Sequence, residues 1–264
     1  MDHGKKIIVI KCGGSTLHSL SQAFFSSLLE LQKGGYELVF IHGGGPDINE
    51  ALEMFQIKPE FRDGLRKTTK EVMETVELVL AGKTNRKLTA MLLENGLRAV
   101  GLNGSDGLIQ GEVIDEEGLG LVGRASSVNP DLLHVMLASG FVPVVTPIAA
   151  AGSEKLNINA DMAAGAVAEA LQAEMCLFIT DVDGVLKDGE LLETLTLSES
   201  EELIEDGTIS GGMKPKVETA LSVLKQGAGR VMIASGKKKF YERGYFIGTV
   251  FYPDKHHTGK EASL

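Results

Sequence analysis

Short apolar runs alternate with amphipathic segments along most of this chain, and this alternation restricts its fold more than any other feature. Ile7–Ile10 precedes a predicted helix over about 21–33, and Leu38–Ile41 precedes another over about 47–55. The pattern returns with predicted strands at 142–146, 175–180, 231–235 and 249–252 and with predicted helices at 130–139, 160–171 and 216–226. Such alternation is typical of βαβ units, so we predict an α/β fold: a three-layer αβα sandwich around a central, mainly parallel sheet.

The middle of the chain departs from this alternation. Two short alternating runs, Leu108–Ile114 and Leu119–Ala125, flank an acidic turn and predict a β-hairpin excursion near residues 108–125. Before it, the capping-box pattern Thr68-x-x-Glu71 opens a long predicted helical stretch. No proline-rich or serine-rich linker interrupts the chain, so we predict one domain over 1–264, with two lobes built on a continuous sheet.

Composition restricts the class of partner. The 264 residues carry a formal net charge of −10, with a sequence pI near 5.2. Nucleic acids and anionic membranes require a basic face, so this balance argues against both as main partners. Cys12 and Cys176 form no spaced framework, and the sequence shows neither an apolar signal core nor a bilayer-length apolar stretch. We therefore expect a soluble, cytoplasmic protein that binds neither nucleic acid nor membrane.

Two strand-to-glycine junctions near the N-terminus indicate an anion-binding site. Lys11-Cys12-Gly13-Gly14-Ser15 follows the first apolar run, and His42-Gly43-Gly44-Gly45-Pro46 follows the second. Glycine lets the backbone approach a ligand closely, and a helix that begins after such a turn directs free N–H groups at negative charge. A third combination of glycines, lysine and helix start lies at 211–216. Each turn alone is also explained as a tight connection, but together they predict a phosphate or carboxylate site.

Further polar residues lie where predicted strands end or predicted helices begin. Asn157, Asn159 and Asp161 surround the start of the helix at 160–171, where one of them is expected to serve only as a cap. Asp181–Leu186 follows a predicted strand, at the edge where open α/β sheets bind ligands. Its aspartates and glycine are equally ordinary turn residues.

The sequence alone leaves the roles of two cationic side chains undecided. Lys11 is either a phosphate ligand or a surface lysine that flanks a turn, and Arg66 would grip a carboxylate if it faces the cleft. The chain has no G-x-x-x-x-G-K-[ST] loop, so any nucleotide must be held by another arrangement. The six histidines show no metal-ligand spacing, and we assign no protein-held metal.

Taken together, these motifs resemble those of the amino acid kinase family, and within it the kinases that act on N-acetylglutamate. The matching positions run in order along the chain: Lys11-x-Gly13-Gly14, His42-Gly43-Gly44-Gly45, Asp63-Gly64-Leu65-Arg66, Asn157-x-Asn159-Ala160-Asp161 and Gly212-Met213-x-x-Lys216. Asp63 departs from the commoner family form, which has Asn before Gly-Leu-Arg, and this leaves open any contact made by that amide.

The resemblance implies ATP-dependent phosphorylation of the side-chain carboxylate of N-acetyl-L-glutamate, giving N-acetyl-L-glutamyl 5-phosphate in arginine biosynthesis. A carboxylate nucleophile is already ionised at neutral pH and needs no general base, and none is apparent in the motifs. By position, Lys11 and Lys216 would stabilise the transition state, and Asp161 would orient both lysines. The implied acceptor ligands are Gly44, Gly45, Arg66, Asn157 and Asn159, and the implied nucleotide neighbours are Gly13, Gly14, Asp181, Val182, Asp183, Gly184, Val185, Leu186, Ile209, Ser210 and Gly211.

The resemblance also divides the work between two lobes. An N-terminal lobe of about 1–172 would bind the acceptor, and a C-terminal lobe of about 173–264 would bind ATP, with Mg²⁺ held mainly by the nucleotide phosphates. Alternatives within the family are glutamate 5-kinase, aspartate kinase, carbamate kinase and UMP kinase. A non-catalytic nucleotide sensor is the alternative outside enzymes, although the presence of both lysines argues against it.

The expected assembly is a homodimer that arginine does not inhibit. In the family, arginine-sensitive members carry an additional N-terminal helix, whereas only Met1–Lys6 precedes the first predicted strand here. The long predicted helix at 69–95, with its apolar stripe of Met73, Val76 and Leu80, is the expected two-fold contact.

Overall fold

The computed structural model describes residues 6–254 of the chain. Its strands are β1 Lys6–Cys12, β2 Tyr36–His42, β3 Phe61–Arg62, β4 Leu65–Arg66, β5 Ala99–Leu102, β6 Ile109–Val113, β7 Val122–Val128, β8 Val142–Val145, β9 Ile148–Ala151, β10 Glu154–Ile158, β11 Met175–Thr180, β12 Leu186–Lys187, β13 Glu190–Leu191, β14 Thr194–Thr196, β15 Val231–Ser235, β16 Tyr241–Glu242, β17 Tyr245–Phe246 and β18 Thr249–Tyr252. Its α-helices are α1 Gln22–Lys33, α2 Gly45–Met54, α3 Lys70–Glu77, α4 Asn85–Glu94, α5 Glu116–Leu119, α6 Asp131–Ala138, α7 Ala160–Ala170, α8 Leu197–Glu205 and α9 Lys214–Lys225. A 3₁₀ turn covers Thr16–Ser19, and a π-helical turn, Leu78–Thr84, joins α3 to α4.

An eight-stranded sheet forms the centre of the fold, in the order β14-β18-β15-β11-β1-β2-β8-β5. Neighbouring strands are parallel except for the antiparallel pair β15 and β18, which confirms the predicted mainly parallel sheet. The chain proceeds from β1 to β2 on one side and from β11 to β15 on the other. The sheet therefore has a switch point between β1 and β11, and open α/β sheets bind ligands at the carboxyl edge of such a point.

Helices cover both faces of this sheet, as predicted for a three-layer sandwich. Alternate residues of β1 point to opposite faces, so Val9 joins one apolar core while Ile8 and Ile10 join the other. The first core contains α6, α7 and α9, and the second contains α1 and α4. Cys12 and Cys176 are buried on opposite faces as free thiols.

The predicted hairpin excursion is present and is part of a larger unit. Strands β6 and β7 pair antiparallel, and the acidic turn between them forms the short helix α5. Strands β9 and β10, which the sequence analysis missed, pair with this hairpin to close a small four-stranded barrel. The barrel lies directly before α7, so it fixes where that helix begins.

The predicted cap of α3 is displaced by one residue along the chain. Thr69 rather than Thr68 caps α3, because its Oγ1 accepts a hydrogen bond from Val72 N at 3.3 Å. The side chain of Thr68 is therefore not used for capping, and it makes contacts at the site described below. Helix α8 begins with a capping box formed by Thr196 and Glu199.

The prediction that the apolar stripe of the long helical stretch forms the two-fold contact is wrong, while the homodimer itself stays a prediction. Met73, Val76 and Leu80 are all buried inside the protomer, where they pack with Ile48 and Leu52 of α2. The apolar stripe therefore closes a small core beneath the second glycine turn and offers no surface to a partner.

Some sequence-based expectations fall on residues that the structure does not describe. The segment at 1–5 lies outside the described residues, and so do His256 and His257 of the polar tail. Within 6–254, no helix combines the length and the apolar character that a bilayer crossing requires.

Candidate functional site

Lys11 and Asp161 form an ion pair at the switch point of the sheet. Lys11 lies near the carboxyl end of β1, beside β11, and Asp161 lies in the first turn of α7. Their Nζ and Oδ1 atoms are 2.7 Å apart, and both side chains are mostly shielded from solvent. A carboxylate this close orients the ammonium group while leaving its other N–H bonds for a ligand.

Lys216 lies at the start of α9 and pairs with Asp181, the residue that follows β11. Its Nζ is 2.8 Å from Asp181 Oδ1, and this hydrogen bond lowers the pKa of the Asp181 carboxyl. Of the two lysines, Lys11 pairs with Asp161 and Lys216 pairs with Asp181, so the orientation of both lysines by Asp161 stays a prediction. The two lysines, each paired with an aspartate, extend from different elements at the carboxyl edge of the sheet.

The two glycine turns contact each other through their backbones. A methyl group at Gly14 would lie 2.9 Å from Gly44 Cα and 3.1 Å from Gly45 N. Gly43 N also donates a hydrogen bond to Cys12 O at 2.9 Å. Only residues without a side chain permit this approach, and the turns predicted separately from the sequence therefore form one surface.

Helix α2 begins at the second glycine turn without a side-chain cap. Gly44 occupies the N-cap position, and Pro46 lies in the first turn. The first N–H groups of a helix have no partner within the helix, so those of α2 are available to an anion. Asp47 is not free to compete for them, because its carboxylate lies 3.1 Å from Lys83 Nζ and 3.3 Å from Thr84 Oγ1.

Arg66 is buried beside the start of α2 and retains an unused donor. Its Nη2 donates to Asn49 Oδ1 at 2.6 Å, and its guanidinium lies over the Phe61 ring, 4.7 Å from the centroid. Its Nη1 is buried and has no hydrogen-bond partner among the described residues. Burial lowers the pKa of Arg66 somewhat, but a guanidinium keeps its charge. A carboxylate is the ligand that would satisfy such a donor.

The hairpin that carries Arg66 explains the departure at Asp63. Asp63 and Gly64 occupy the turn between β3 and β4 with φ angles of 51° and 78°. A two-residue hairpin turn with both φ angles positive favours Asn-Gly or Asp-Gly. The Asp63 side chain is 91% exposed, so its carboxylate is directed to solvent.

Asn157 is linked to Arg66 through a buried threonine. Asn157 Nδ2 donates to Thr68 Oγ1 at 3.1 Å, and Thr68 Oγ1 donates to Arg66 O at 2.7 Å. These two hydrogen bonds thus join Asn157 and Arg66, two predicted acceptor ligands that belong to different elements. Thr68 itself was missed, because a lone threonine before a helix carries no sequence signal beyond capping.

Asn159 is the cap of α7. Its Oδ1 accepts hydrogen bonds from Asp161 N at 2.8 Å and from Met162 N at 3.3 Å. This is the capping role expected for one of the polar residues at this helix start. The Asn159 amide nitrogen is not needed for capping and remains available to a ligand.

A cavity of about 510 Å³ opens beside the carboxyl ends of β11 and β15. This volume lies in the ordinary range for small-molecule sites. Its lining includes the predicted nucleotide neighbours Asp181, Val182, Asp183, Gly184, Val185, Leu186 and Ile209. Ser210 and Gly211 are not among its lining residues, although they directly follow Ile209 and precede α9.

The cavity also has lining residues that the sequence analysis missed: Thr208, Met213, Ser235, Lys237 and Lys238. Ser235 ends β15 and is followed by Gly236-Lys237-Lys238. A strand followed by a glycine and lysines is the same kind of pattern that indicates an anion site near Lys11, so the sequence carried this signal here too. Among residues 6–254, no group of three or more His, Cys, Asp or Glu side chains is arranged to hold a metal ion.

Comparison with known proteins identifies the family of this chain. The sequence model of the Amino acid kinase family matches residues 6–235. The chain belongs to the amino acid kinase family. Among its curated relatives, an acetylglutamate kinase of Geobacillus sp. (strain WCH70) is 49% identical over 246 residues, covering 92% of this chain and 96% of that protein. The acetylglutamate kinase of Geobacillus stearothermophilus is 50% identical, with 92% and 95% covered.

A solved structure supports the same fold for this amino acid kinase. The crystal structure of smu.665 from Streptococcus mutans UA159 matches with a TM-score of 0.81 and 32% identity, covering 94% of this chain and 99% of that one. These comparisons confirm three predictions: the resemblance to kinases that act on N-acetylglutamate, the α/β sandwich and the assignment as a kinase. The roles of individual residues in this amino acid kinase stay predictions.

Proposed function

We propose that the protein transfers the γ-phosphoryl group of ATP to the side-chain carboxylate of N-acetyl-L-glutamate, giving N-acetyl-L-glutamyl 5-phosphate and ADP. The observation that carries this proposal is the pair of lysines that are each held by an aspartate: Lys11 pairs with Asp161 beside the first glycine turn, and Lys216 pairs with Asp181, which lines the cavity. The names of the curated relatives support N-acetylglutamate as the acceptor. Production of this acyl phosphate would place the protein in arginine biosynthesis.

The chemistry needs cations more than it needs a base. A carboxylate oxygen of the acceptor attacks the γ-phosphorus while the bond to the bridging oxygen of ADP breaks. Both reactants are anionic, so the barrier is lowered by charge and N–H groups around the transferring phosphoryl group. Lys11 and Lys216 supply the charge from two elements, and Asp161 and Asp181 keep their ammonium groups in place.

The acceptor is proposed to bind between the second glycine turn and the barrel. N–H groups of Gly44 and Gly45 face its reacting end, and Arg66 binds its α-carboxylate through the donor that the protein leaves unused. Asn157 and Asn159 contribute amides from the elements that flank Asp161. This assigns the acceptor to the N-terminal lobe, about 1–172.

The nucleotide is proposed to occupy the cavity in the C-terminal lobe, about 173–264. Residues 181–186 and Ile209 line the cavity. Gly13 and Gly14 lie toward the phosphates, and Ser210 and Gly211 border the nucleotide ahead of α9. Mg²⁺ enters as part of the substrate, bound to the phosphates of ATP.

A direct assay tests the function. The purified protein is incubated with Mg-ATP and one acceptor at a time, and hydroxylamine traps any acyl phosphate as a hydroxamate. We expect hydroxamate and ADP with N-acetyl-L-glutamate and much less with glutamate, aspartate, carbamate or UMP. Faster turnover with another acceptor would reassign the substrate, and nucleotide binding without transfer would favour a sensor.

We further propose a cytoplasmic homodimer. The free thiols of Cys12 and Cys176 suit a reducing compartment. Leu78, 60% exposed at the start of the π-helical turn, and Leu93, 52% exposed near the end of α4, are the apolar side chains we propose for the contact. Sedimentation of the wild type and of a Leu78→Glu, Leu93→Glu variant tests this. A wild-type monomer or hexamer, or an unchanged dimer in the variant, would contradict it.

A further inference from the structure

We propose that His42 is a positioning residue whose ring holds the peptide unit between Gly43 and Gly44 in one orientation. The inference rests on the proposed function, in which the Gly44 N–H faces the acceptor. His42 ends β2, directly before the glycine turn, and its side chain is fully buried. It therefore lies beneath the site and touches the turn without reaching the substrate.

A buried hydrogen-bond network determines which ring nitrogen of His42 carries the proton. His42 Nδ1 lies 3.1 Å from Gly43 O, and Nε2 lies 3.1 Å from Asn85 Nδ2. Asn85, the first residue of α4, is also fully buried. Distances between heavy atoms alone do not assign the proton, so the orientation of the Asn85 amide decides it.

Two further neighbours fix that amide. Val144 O, which can only accept, lies 2.8 Å from Asn85 Nδ2, and the Arg86 guanidinium, which can only donate, hydrogen-bonds Asn85 Oδ1. The nitrogen of the amide consequently faces His42 and donates to Nε2. Nε2 accepts, so the proton resides on Nδ1, and Nδ1–H donates to Gly43 O.

This hydrogen bond controls the direction of the Gly44 N–H, the group proposed to donate to the substrate. Gly43 C=O and Gly44 N–H belong to the same planar peptide unit, and in a trans peptide they point to opposite sides. Holding the Gly43 carbonyl toward the His42 ring therefore directs the Gly44 N–H away from it, to the side where Gly14 lies. A peptide between two glycines has little intrinsic preference for one orientation, because neither residue has a Cβ.

The ring is neutral under the conditions in which the enzyme works. Burial is the main cause that lowers the pKa of His42 to about 4, and Arg86 adds to it while the Gly43 hydrogen bond acts in the opposite direction. One tautomer thus persists across neutral pH, and the peptide orientation does not change with ordinary variations of pH.

The wild-type protein gives the first test. Long-range ¹H–¹⁵N correlation spectra of ¹⁵N-histidine-labelled protein distinguish Nδ1–H from Nε2–H rings, and loss of one set of signals in His42→Asn assigns this residue. We expect His42 as the Nδ1–H tautomer at pH 7. An Nε2–H ring or a rapid mixture of tautomers would overturn the inference.

Variants test the consequence for activity. His42→Asn keeps a side-chain donor near the Nδ1 position and should retain kcat/KM for the acceptor within about threefold. His42→Leu removes the donor and should lower kcat/KM for the acceptor by about tenfold or more. Asn85→Asp presents an oxygen to Nε2 and should move the proton there, with a similar loss. The KM for ATP should stay within about twofold in all three. His134→Leu, at an exposed position on α6, is the matched control.

The outcomes separate this inference from the proposed function. An unchanged kcat/KM in folded His42→Leu, or an equal loss in His42→Asn, would overturn the positioning role even if the wild type phosphorylates N-acetylglutamate. An inactive wild type would contradict the proposed function, while the tautomer spectrum would still decide whether the ring orients the peptide.

Discussion

Gly14 and Gly44 meet backbone to backbone, so closely that a single methyl group on Gly14 would come within 2.9 Å of Gly44 Cα. Gly14 follows β1 and Gly44 follows β2, and the parallel register of these strands brings the two turns to the same edge. The contact places Lys11 and the start of α2 on one continuous surface. The proposed phosphoryl transfer depends on that surface.

Gly14→Ala should therefore separate the two turns. The opposing atoms are backbone and cannot move aside as a flexible side chain would, and a misplacement of about 1 Å near the reacting groups costs on the order of a hundredfold in rate. We expect kcat/KM for both substrates to fall by about that factor. Gly82→Ala, where the nearest atom would be 4.0 Å away, is the control and should keep full activity. Wild-type activity in Gly14→Ala would show that the close contact is dispensable.

Lys216→Ala should lower kcat far more than it raises either KM, because its charge is needed most when phosphoryl charge develops. We expect a loss on the order of a hundredfold or more in steady-state kcat, and a similar loss for Lys11→Ala. Lys214→Ala removes a neighbouring surface lysine that pairs with Glu218 one helical turn away and should have little effect. An unchanged kcat in Lys216→Ala would remove this residue from the mechanism.

Arg66→Lys should weaken acceptor binding selectively. An ammonium group cannot reproduce a planar fork that bonds Asn49 with one nitrogen and keeps another for a carboxylate. We expect the KM for N-acetylglutamate to rise about tenfold or more, with the KM for ATP nearly unchanged. Arg62→Lys, exposed on the same hairpin, is the control. Equal losses for both substrates would indicate that Arg66 supports the fold or the nucleotide.

Thr68→Val should disturb two acceptor ligands at once. The variant keeps the shape of the side chain but removes the hydroxyl that bridges Arg66 O and Asn157 Nδ2, at a cost of about 1–3 kcal/mol for the buried groups left unpaired. We expect a lower melting temperature and a higher KM for the acceptor, both restored in Thr68→Ser. Thr75→Val, whose hydroxyl bonds only within its own helix, should leave KM unchanged. A KM unaffected by Thr68→Val would exclude the bridge from acceptor binding.

His42 should make stability depend on pH. Its folded pKa of about 4 lies below its ordinary value of 6.5, so the unfolded chain binds this proton more readily. The contribution is complete above pH 6.5 and is lost as pH falls toward 4, by about 3 kcal/mol in total. Urea unfolding of wild type and His42→Leu at pH 7.5 and 4.5 measures it. Equal pH dependence in both proteins would contradict the burial of a neutral ring.

Much of the sheet was predictable from local pattern. The strands at 175–180, 231–235 and 249–252 have the predicted bounds, because apolar runs flanked by polar turns are set by burial of neighbouring residues. Short strands of the barrel, such as β9 and β10, were missed. Their residues Ile148–Ala151 and Glu154–Ile158 carry little strand signal. They pair antiparallel with each other, and β7 and β6 complete their pairing in the barrel.

The apolar stripe of the long helical stretch shows the limit of such patterns. Periodicity correctly placed Met73, Val76 and Leu80 on one face, but it could not say what covers that face. In the structure α2 of the same protomer covers that face, so the stripe itself does not form the predicted two-fold contact.

The sequence alone located the glycines, lysine and aspartate that stand at strand ends, because apolar runs mark the strands and the carboxyl ends of parallel strands share the edge where open α/β sheets bind ligands. Lys11, Gly14, Gly44 and Asp181 were found in this way. The tertiary structure decided the partnerships: that Lys11 pairs with Asp161 while Lys216 pairs with Asp181, that Thr68 joins Arg66 to Asn157, and that His42 is held by Asn85. Apart from Thr68 and Arg66, which are two residues apart, these partners are separated by 35 to 150 residues. No local propensity encodes which distant segments become neighbours once the sheet is assembled.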